Sequence, residues 1–297
     1  MKTSLLICFL VFIIYQNDRE VQNERILENP FFAFSNSMNK EGLPLIPLDA
    51  QADMLNKYGF DGIEHVEITN MMEVKEVFDR EGLKIYANYV KIDIDKGEPY
   101  LKEWKEIIPK LEGTDILFWC HLHSAKFKSS DQEADAIIIP LIQELADFAK
   151  PYGVKLAIYP HVWFLAEKPE DSFRIAEKVN RENVGTVFNL PHFLKTDSEE
   201  NLEKILNLIF PRLFAVSICG ADAGDTKNMD WDRLIQPLGQ GSFDTYRLVE
   251  FLVDKGYTGP FGLQTYGLKG SPENYLYQSG KAWNSFEKRY AKSRNAI

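Results

Sequence analysis

Residues 48–66 read LDAQADMLNKYGFDGIEHV, from Leu48 to Val66. Leu48 to Tyr58 has helical spacing, with Asp49 in the first turn, where a carboxylate complements the helix dipole. Gly59 stands where a C′ glycine ends a helix, and Gly62–Val66 follows as a short apolar run of strand type. The same helix–turn–strand junction returns near the other end of the chain, in Lys255-Gly256-Tyr257-Thr258-Gly259.

The alternation extends outward from this unit in both directions. The other strand candidates are Phe31–Ser35, Lys84–Val90, Ile116–Leu122, Lys155–Pro160, Gly185–Asn189, Leu213–Ile218 and Pro260–Gln264. Each is short and rich in β-branched or aromatic residues, as strands buried on both faces should be. Helical spacing lies between them, over Met71–Arg80, Tyr100–Leu111, Ala134–Phe148, Pro169–Arg181, Glu199–Phe210, Thr245–Lys255 and Pro272–Tyr290. Eight strand–helix pairs predict an α/β fold, a single-domain (β/α)8 TIM barrel spanning residues 30–292. No Gly-x-Gly-x-x-Gly follows a strand, so a doubly wound dinucleotide-binding sheet lacks its fingerprint.

The composition suits one globular domain: 297 residues, 45% hydrophobic and 26% charged. A net charge of −10 with no basic run argues against a nucleic-acid partner. Lys2 followed by the apolar run Leu5–Tyr15 reads as a signal peptide or short N-terminal anchor over residues 1–20, too short for a stable membrane span, which needs roughly 20 apolar residues. Residues 21–29 then read as a linker. The expected location is outside the cytoplasm, periplasmic or extracellular, with tethering through an uncleaved leader as the alternative. Cys8 belongs to the leader, and Cys120 and Cys219 fall in apolar runs, where packed thiols are commoner than a disulfide.

Active sites of such barrels lie at the C-terminal ends of the strands. The chain has five histidines, and His65, His121, His123, His161 and His192 all fall at or just past a predicted strand end, none on a predicted helix. Glu64 and Glu67 flank the second strand, and Lys91 and Asp93 follow the third. Asn189 ends the sixth strand, Asp222 follows the seventh, and Gln264 and Tyr266 follow the eighth. Trp119 and Trp163 offer flat apolar surfaces. Polar groups ringed by aromatics suit a small-molecule sugar or sugar derivative, whose hydroxyls want hydrogen bonds and whose C–H faces want a ring. His65, Trp119, His123, Asn189, Asp222, Gln264 and Tyr266 are therefore candidate substrate-binding residues.

Three phrases, Leu156-Ala157-Ile158-Tyr159-Pro160-His161, Phe188-Asn189-Leu190-Pro191-His192-Phe193-Leu194 and Val216-Ser217-Ile218-Cys219-Gly220-Ala221-Asp222, resemble strands five to seven of the xylose isomerase-like TIM barrels. Pro237-Leu238-Gly239-Gln240-Gly241-Ser242-Phe243-Asp244 is similar to that superfamily's Pro-Leu-Gly-x-Gly-x-x-Asp phrase, and Gly262–Gly267 to its last strand. The resemblance implies sugar isomerase or epimerase chemistry and a divalent metal held by strand-end carboxylates and histidines. This chain departs from that ligand set: Tyr159 replaces the fifth-strand Glu, Asn189 the sixth-strand Asp, Ser217 the seventh-strand His and Gln264 the last Glu. His161 and His192 remain as candidate metal ligands.

Proton abstraction beside a carbonyl is the expected reaction, with Glu64 or His161 as base and His192 or His121 as electrophilic partner. Two alternatives stand beside it. One is a non-catalytic sugar-binding barrel. The other is a glycoside-processing hydrolase or lyase using Glu64 with Asp222, since such enzymes need two carboxylates about 5–10 Å apart.

Overall fold

The computed structural model describes residues 27–38 and 44–294; the leader reading lies outside the described residues. Eight parallel strands close into a barrel in sequence order, β1 Phe31–Phe34, β2 Gly62–His65, β3 Lys84–Asp93, β4 Leu117–His123, β5 Lys155–Ile158, β6 Val184–Asn189, β7 Leu213–Ile218 and β8 Phe261–Leu263. The barrel helices match the spacing: α1 Leu48–Lys57, α2 Met71–Arg80, α3 Glu103–Ile107, which is shorter than the predicted Tyr100–Leu111 and continues as a 3-10 turn over Ile108–Leu111, α4 Asp135–Ala149, α5 Pro169–Val179, then α7 Leu202–Ile209, α9 Thr245–Asp254 and α10 Pro272–Arg294. Two short helices in the loops have no counterpart in the sequence reading, α6 Leu190–Thr196 and α8 Trp231–Leu234. No helix among the described residues is long and apolar enough to cross a membrane.

Strand side chains alternate between two cores. Phe31, Ile63, Phe118, Cys120, Ile158, Phe188 and Val216 point outward and pack under the helices. Phe32, Phe34, Ala87, Leu117, Trp119, Ala157, Tyr159, Val187 and Ala215 point inward and fill the barrel. Gly262 makes room for this plug, because a Cβ there would sit 2.6 Å from the Phe32 ring. The packing starts inside the stretch read as linker: Leu27 is buried, and Asn29 Nδ2 donates to the carbonyls of Tyr257 and Gly259 at 2.9 and 2.8 Å. Cys120 and Cys219 are free, buried thiols.

The Pro-Leu-Gly-x-Gly phrase is a packing device against the loop after β7. Gly241 sits at φ +80°, and a Cβ there would lie 2.0 Å from the Ala221 carbonyl oxygen. Gly220 and Gln236 exchange backbone hydrogen bonds of 2.9 and 2.8 Å, and Asp244 caps α9 by accepting from the Arg247 N–H at 3.2 Å.

Candidate functional site

At the C-terminal end of the barrel a cavity of about 360 Å³ is lined from several loops at once, by Glu64, His161, His192, Gln264 and aromatics including Tyr89, Phe164 and Trp231. Its centre is built by the turn after β5. The Phe164 N–H donates to the His161 carbonyl at 3.0 Å and the His161 N–H to the Ala166 carbonyl at 2.9 Å, folding residues 161–166 back on themselves. His192 reaches the same place from the first turn of α6, which Asn189 and Pro191 start directly at the end of β6. The expectation that no histidine lies on a helix is thus corrected for His192.

Val162, in the middle of that turn, touches both rings. Its carbonyl lies 2.8 Å from His161 Nδ1, and its N–H lies 3.4 Å from His192 Nδ1. A carbonyl only accepts and an amide N–H only donates. His161 therefore carries its proton on Nδ1, leaving a lone pair on Nε2, whereas a neutral His192 carries its proton on Nε2. Burial holds both imidazoles below their ordinary pKa, His192 well below; the charge of His161 adds secondarily to the lowering of His192, and the Val162 carbonyl partly offsets that of His161. Neutral rings at pH 7 with opposite tautomers make one an acceptor and the other a donor toward the cavity. The ring centroids are 3.8 Å apart.

Glu64 faces this pair from the other side, since β2 and β6 lie four strands apart in a ring of eight. Its carboxylate accepts from the Ser35 N–H at 3.1 Å and the Ser35 hydroxyl at 3.4 Å. Burial outweighs those bonds and raises its pKa to about 7. Among the described residues it is the one acidic side chain lining the cavity.

The four positions where the family would place metal ligands form the wall and floor instead. Asn189 Nδ2 donates to the Tyr159 hydroxyl, which also hydrogen-bonds Gln264. Gln264 Oε1 in turn accepts from the Tyr266 N–H at 3.0 Å and from Asn36 Nδ2 at 3.4 Å. Asn189 Oδ1 and Ser217 Oγ are buried without a partner. A phenol, two amides and a hydroxyl are neutral, and burial raises the Tyr159 pKa further from any charged form. A ligating histidine donates its other ring N–H to an acceptor; His161 does so, but His192 accepts at Nδ1 and so has no Nε2 lone pair to give. No group of three His, Cys, Asp or Glu among the described residues is placed to hold a metal. The donor set does not fit a divalent cation. Purified protein is accordingly expected to carry well under one equivalent of zinc, manganese or magnesium by elemental analysis, with a melting temperature indifferent to chelator; stoichiometric metal lost together with stability on chelation would contradict this.

Strand parity and loop packing sort the other candidates. His65 is next to Glu64 and so faces outward, hydrogen-bonded to Asn70 at 2.8 Å in a neighbouring cleft; it does not line the cavity. Trp119 points inward but one layer too deep, buried and stacked on Tyr159 at 5.2 Å, and Asn189 is likewise buried beneath the floor. His121 and His123 are screened by Phe164, whose ring lies 5.6 Å and 4.0 Å from theirs. Tyr89 stacks on His121 at 4.1 Å, and His121 Nδ1 and His123 Nε2 share a 2.6 Å hydrogen bond. Burial lowers their pKa values to about 3 and about 4. His121 is thus corrected from electrophilic partner to a packed residue behind the wall. Asp222 lies off the cavity, bonded to Arg233 Nε at 2.8 Å and the Ser242 N–H at 3.3 Å. Tyr89, Phe164 and Trp231 were not singled out from the sequence. Only Tyr89 had a usable signal, its inward parity on β3.

A family model described as xylose isomerase-like TIM barrel matches residues 52–284. Among curated relatives, an inosose isomerase of Halalkalibacterium halodurans is 24% identical over 146 residues, covering 48% of this chain and 49% of that protein. An inosose isomerase of Bacillus subtilis is 28% identical over 158 residues, 50% of this chain and 52% of that protein. The chain thus spans about half the length of these two relatives. Among solved structures, the IOLI protein with a binding zinc atom superposes with a TM-score of 0.68 at 19% identity, covering 88% of this chain and 99% of that one.

Proposed function

The chain belongs to the xylose isomerase-like TIM barrel family, and from that premise we propose that it is a sugar isomerase or epimerase that moves a proton beside a carbonyl without a resident metal. The observation that carries this is the pair of opposite tautomers held by Val162. His161 Nε2 takes the proton from the carbon next to the carbonyl, the C–H electron pair forms the carbon–carbon double bond of an enolate, and the carbonyl π pair moves onto oxygen. His192 Nε2–H hydrogen-bonds the developing oxyanion. Glu64, across the cavity, delivers a proton to the opposite face of the same carbon, and the reverse reaction runs the same transfers backward. His161 and Glu64 together therefore hold one proton, which passes between them through the substrate. The relatives' inosose substrates support a cyclic polyhydroxy ketone as the class of ligand. Two-carboxylate glycoside hydrolysis has less support, because Asp222 is tied to Arg233 away from Glu64's cavity.

Incubation with a panel of keto-sugars in D₂O tests the reading by NMR. The proton beside the carbonyl should exchange for deuterium with inversion at that carbon. The rate of inversion should fall as pH rises through about 7, where Glu64 loses the proton it must give. His161 must be neutral, and its lowered pKa keeps it so below the ordinary histidine range. Tight sugar binding with no exchange would leave a binding barrel and remove the catalytic reading. Export through residues 1–20 belongs to the same proposal and rests on the Leu5–Tyr15 run; N-terminal sequencing of the mature protein tests it.

A further inference from the structure

The aromatic wall that starts at the reactive pair continues out of the cavity. His192 lies edge-on to Trp231 at 5.3 Å, and Trp231 edge-on to Trp163 at 6.0 Å. Exposure rises along this path: His192 is buried, Trp231 half-buried and Trp163 69% exposed. Tyr266, on the loop after β8, lines the same cavity and is also 69% exposed. Large aromatic surfaces left in water at a cavity mouth mark a place where something binds.

Trp163 is also held there against its backbone preference. It sits at φ +73°, in the left-handed region that bulky residues avoid. Its N–H is fixed by Glu167 Oε1 at 3.0 Å, and the Lys195 ammonium lies 5.7 Å from the Trp231 ring while bonded to the Met229 carbonyl at 2.6 Å. The cavity thus has two zones. The inner one presents Glu64, His161, His192 and Gln264; the outer one presents indole and phenol faces, and among the described residues no charged side chain lines it.

We propose that the outer zone is a second subsite, so that the substrate is a glycoside whose reacting sugar carries its ketone on a ring carbon other than the anomeric one: that sugar lies in the inner zone, and a second flat ring, a further pyranose or an aromatic aglycone, stacks on Trp163 and Trp231. This rests on the sugar reading of the inner zone. C–H and π faces are what such a ring offers, and they match the outer wall in chemistry and place.

Calorimetric titration with a panel of pyranoses bearing a ring ketone, each supplied as free sugar, disaccharide and phenyl glycoside, tests it on the full-length protein. An extended ligand should bind about tenfold more tightly than its free sugar. Trp163→Gly should cut that ligand's affinity about tenfold and the free sugar's far less. The glycine also accepts φ +73° without strain, so the melting temperature should hold or rise, which separates lost binding from lost folding. A gain confined to phenyl glycosides identifies an aromatic aglycone, and a gain with disaccharides a second sugar. Equal affinities for free and extended forms, or equal losses in Trp163→Gly, overturn the second subsite and leave the inner sugar site standing. Failure of every keto-pyranose in every form overturns both.

Discussion

His161→Ala is expected to lower turnover by about 10²–10⁴-fold, the usual contribution of a positioned general base, in a protein that still folds. The barrel does not depend on this ring, which sits in the turn beyond β5 and packs on His192 at 3.8 Å and Phe164 at 4.0 Å. His192→Ala removes a donor to the oxyanion and should cost about 10²–10³-fold. The two losses differ in kind. Without His161 the epimer whose proton faces that residue should show no detectable exchange in D₂O, whereas without His192 exchange should persist slowly. Circular dichroism establishes that each variant is folded. Wild-type turnover in either would remove the assignment of the pair.

Glu64→Gln should be more stable than the parent, and increasingly so as pH rises. The folded-state pKa of Glu64 is about 7 against an ordinary 4.5, because its carboxyl is buried with only Ser35 to stabilise the charge. A raised acid pKa means that folding favours the protonated form. Its cost to stability is absent below about 4.5, grows between 4.5 and 7, and is constant above. At about 1.4 kcal/mol per pH unit the full cost is about 3 kcal/mol. Glutamine keeps an oxygen for Ser35 and never ionises. Urea denaturation should therefore find the two proteins alike near pH 4, with the variant ahead by about 3 kcal/mol at pH 8. A gap that does not widen with pH would show that Glu64 is not a buried ionisable group. The same variant should lose inversion at every pH yet retain exchange through His161.

The fold was legible because each strand and each barrel helix has its own periodicity and its own stop. Gly59 and Gly82 end α1 and α2 in the left-handed conformation that their position suggested, at φ +77° and +73°. The site was legible in part. Nearness to a strand end marks a residue as able to reach the cavity, which is how Glu64, His161, His192, Gln264 and Tyr266 were found. It does not say which way the side chain points or how deep it lies. Parity would have turned His65 away from Glu64's side of β2, and depth along the strand would have put Trp119 in the floor. Phe164 and Trp231 come from loop segments without periodicity, and the packing of Phe164 over His121 and His123 is a tertiary fact. α6 and α8 are too short for a helical repeat to declare itself, so His192 was read as a loop residue.

Val162 has a bearing on how this site would change over time. Its two contacts with the histidines come from its main chain alone, and every residue except proline supplies the same N–H and carbonyl. The direction of proton flow is therefore inherited through the length and path of a turn, and substitutions at position 162 would leave it intact. A single insertion or deletion between His161 and Ala166 would displace both groups together and take the acceptor and the donor away in one step. Related chains could drift freely in side chain at this point and still share a polarity, or match in every histidine and have lost it.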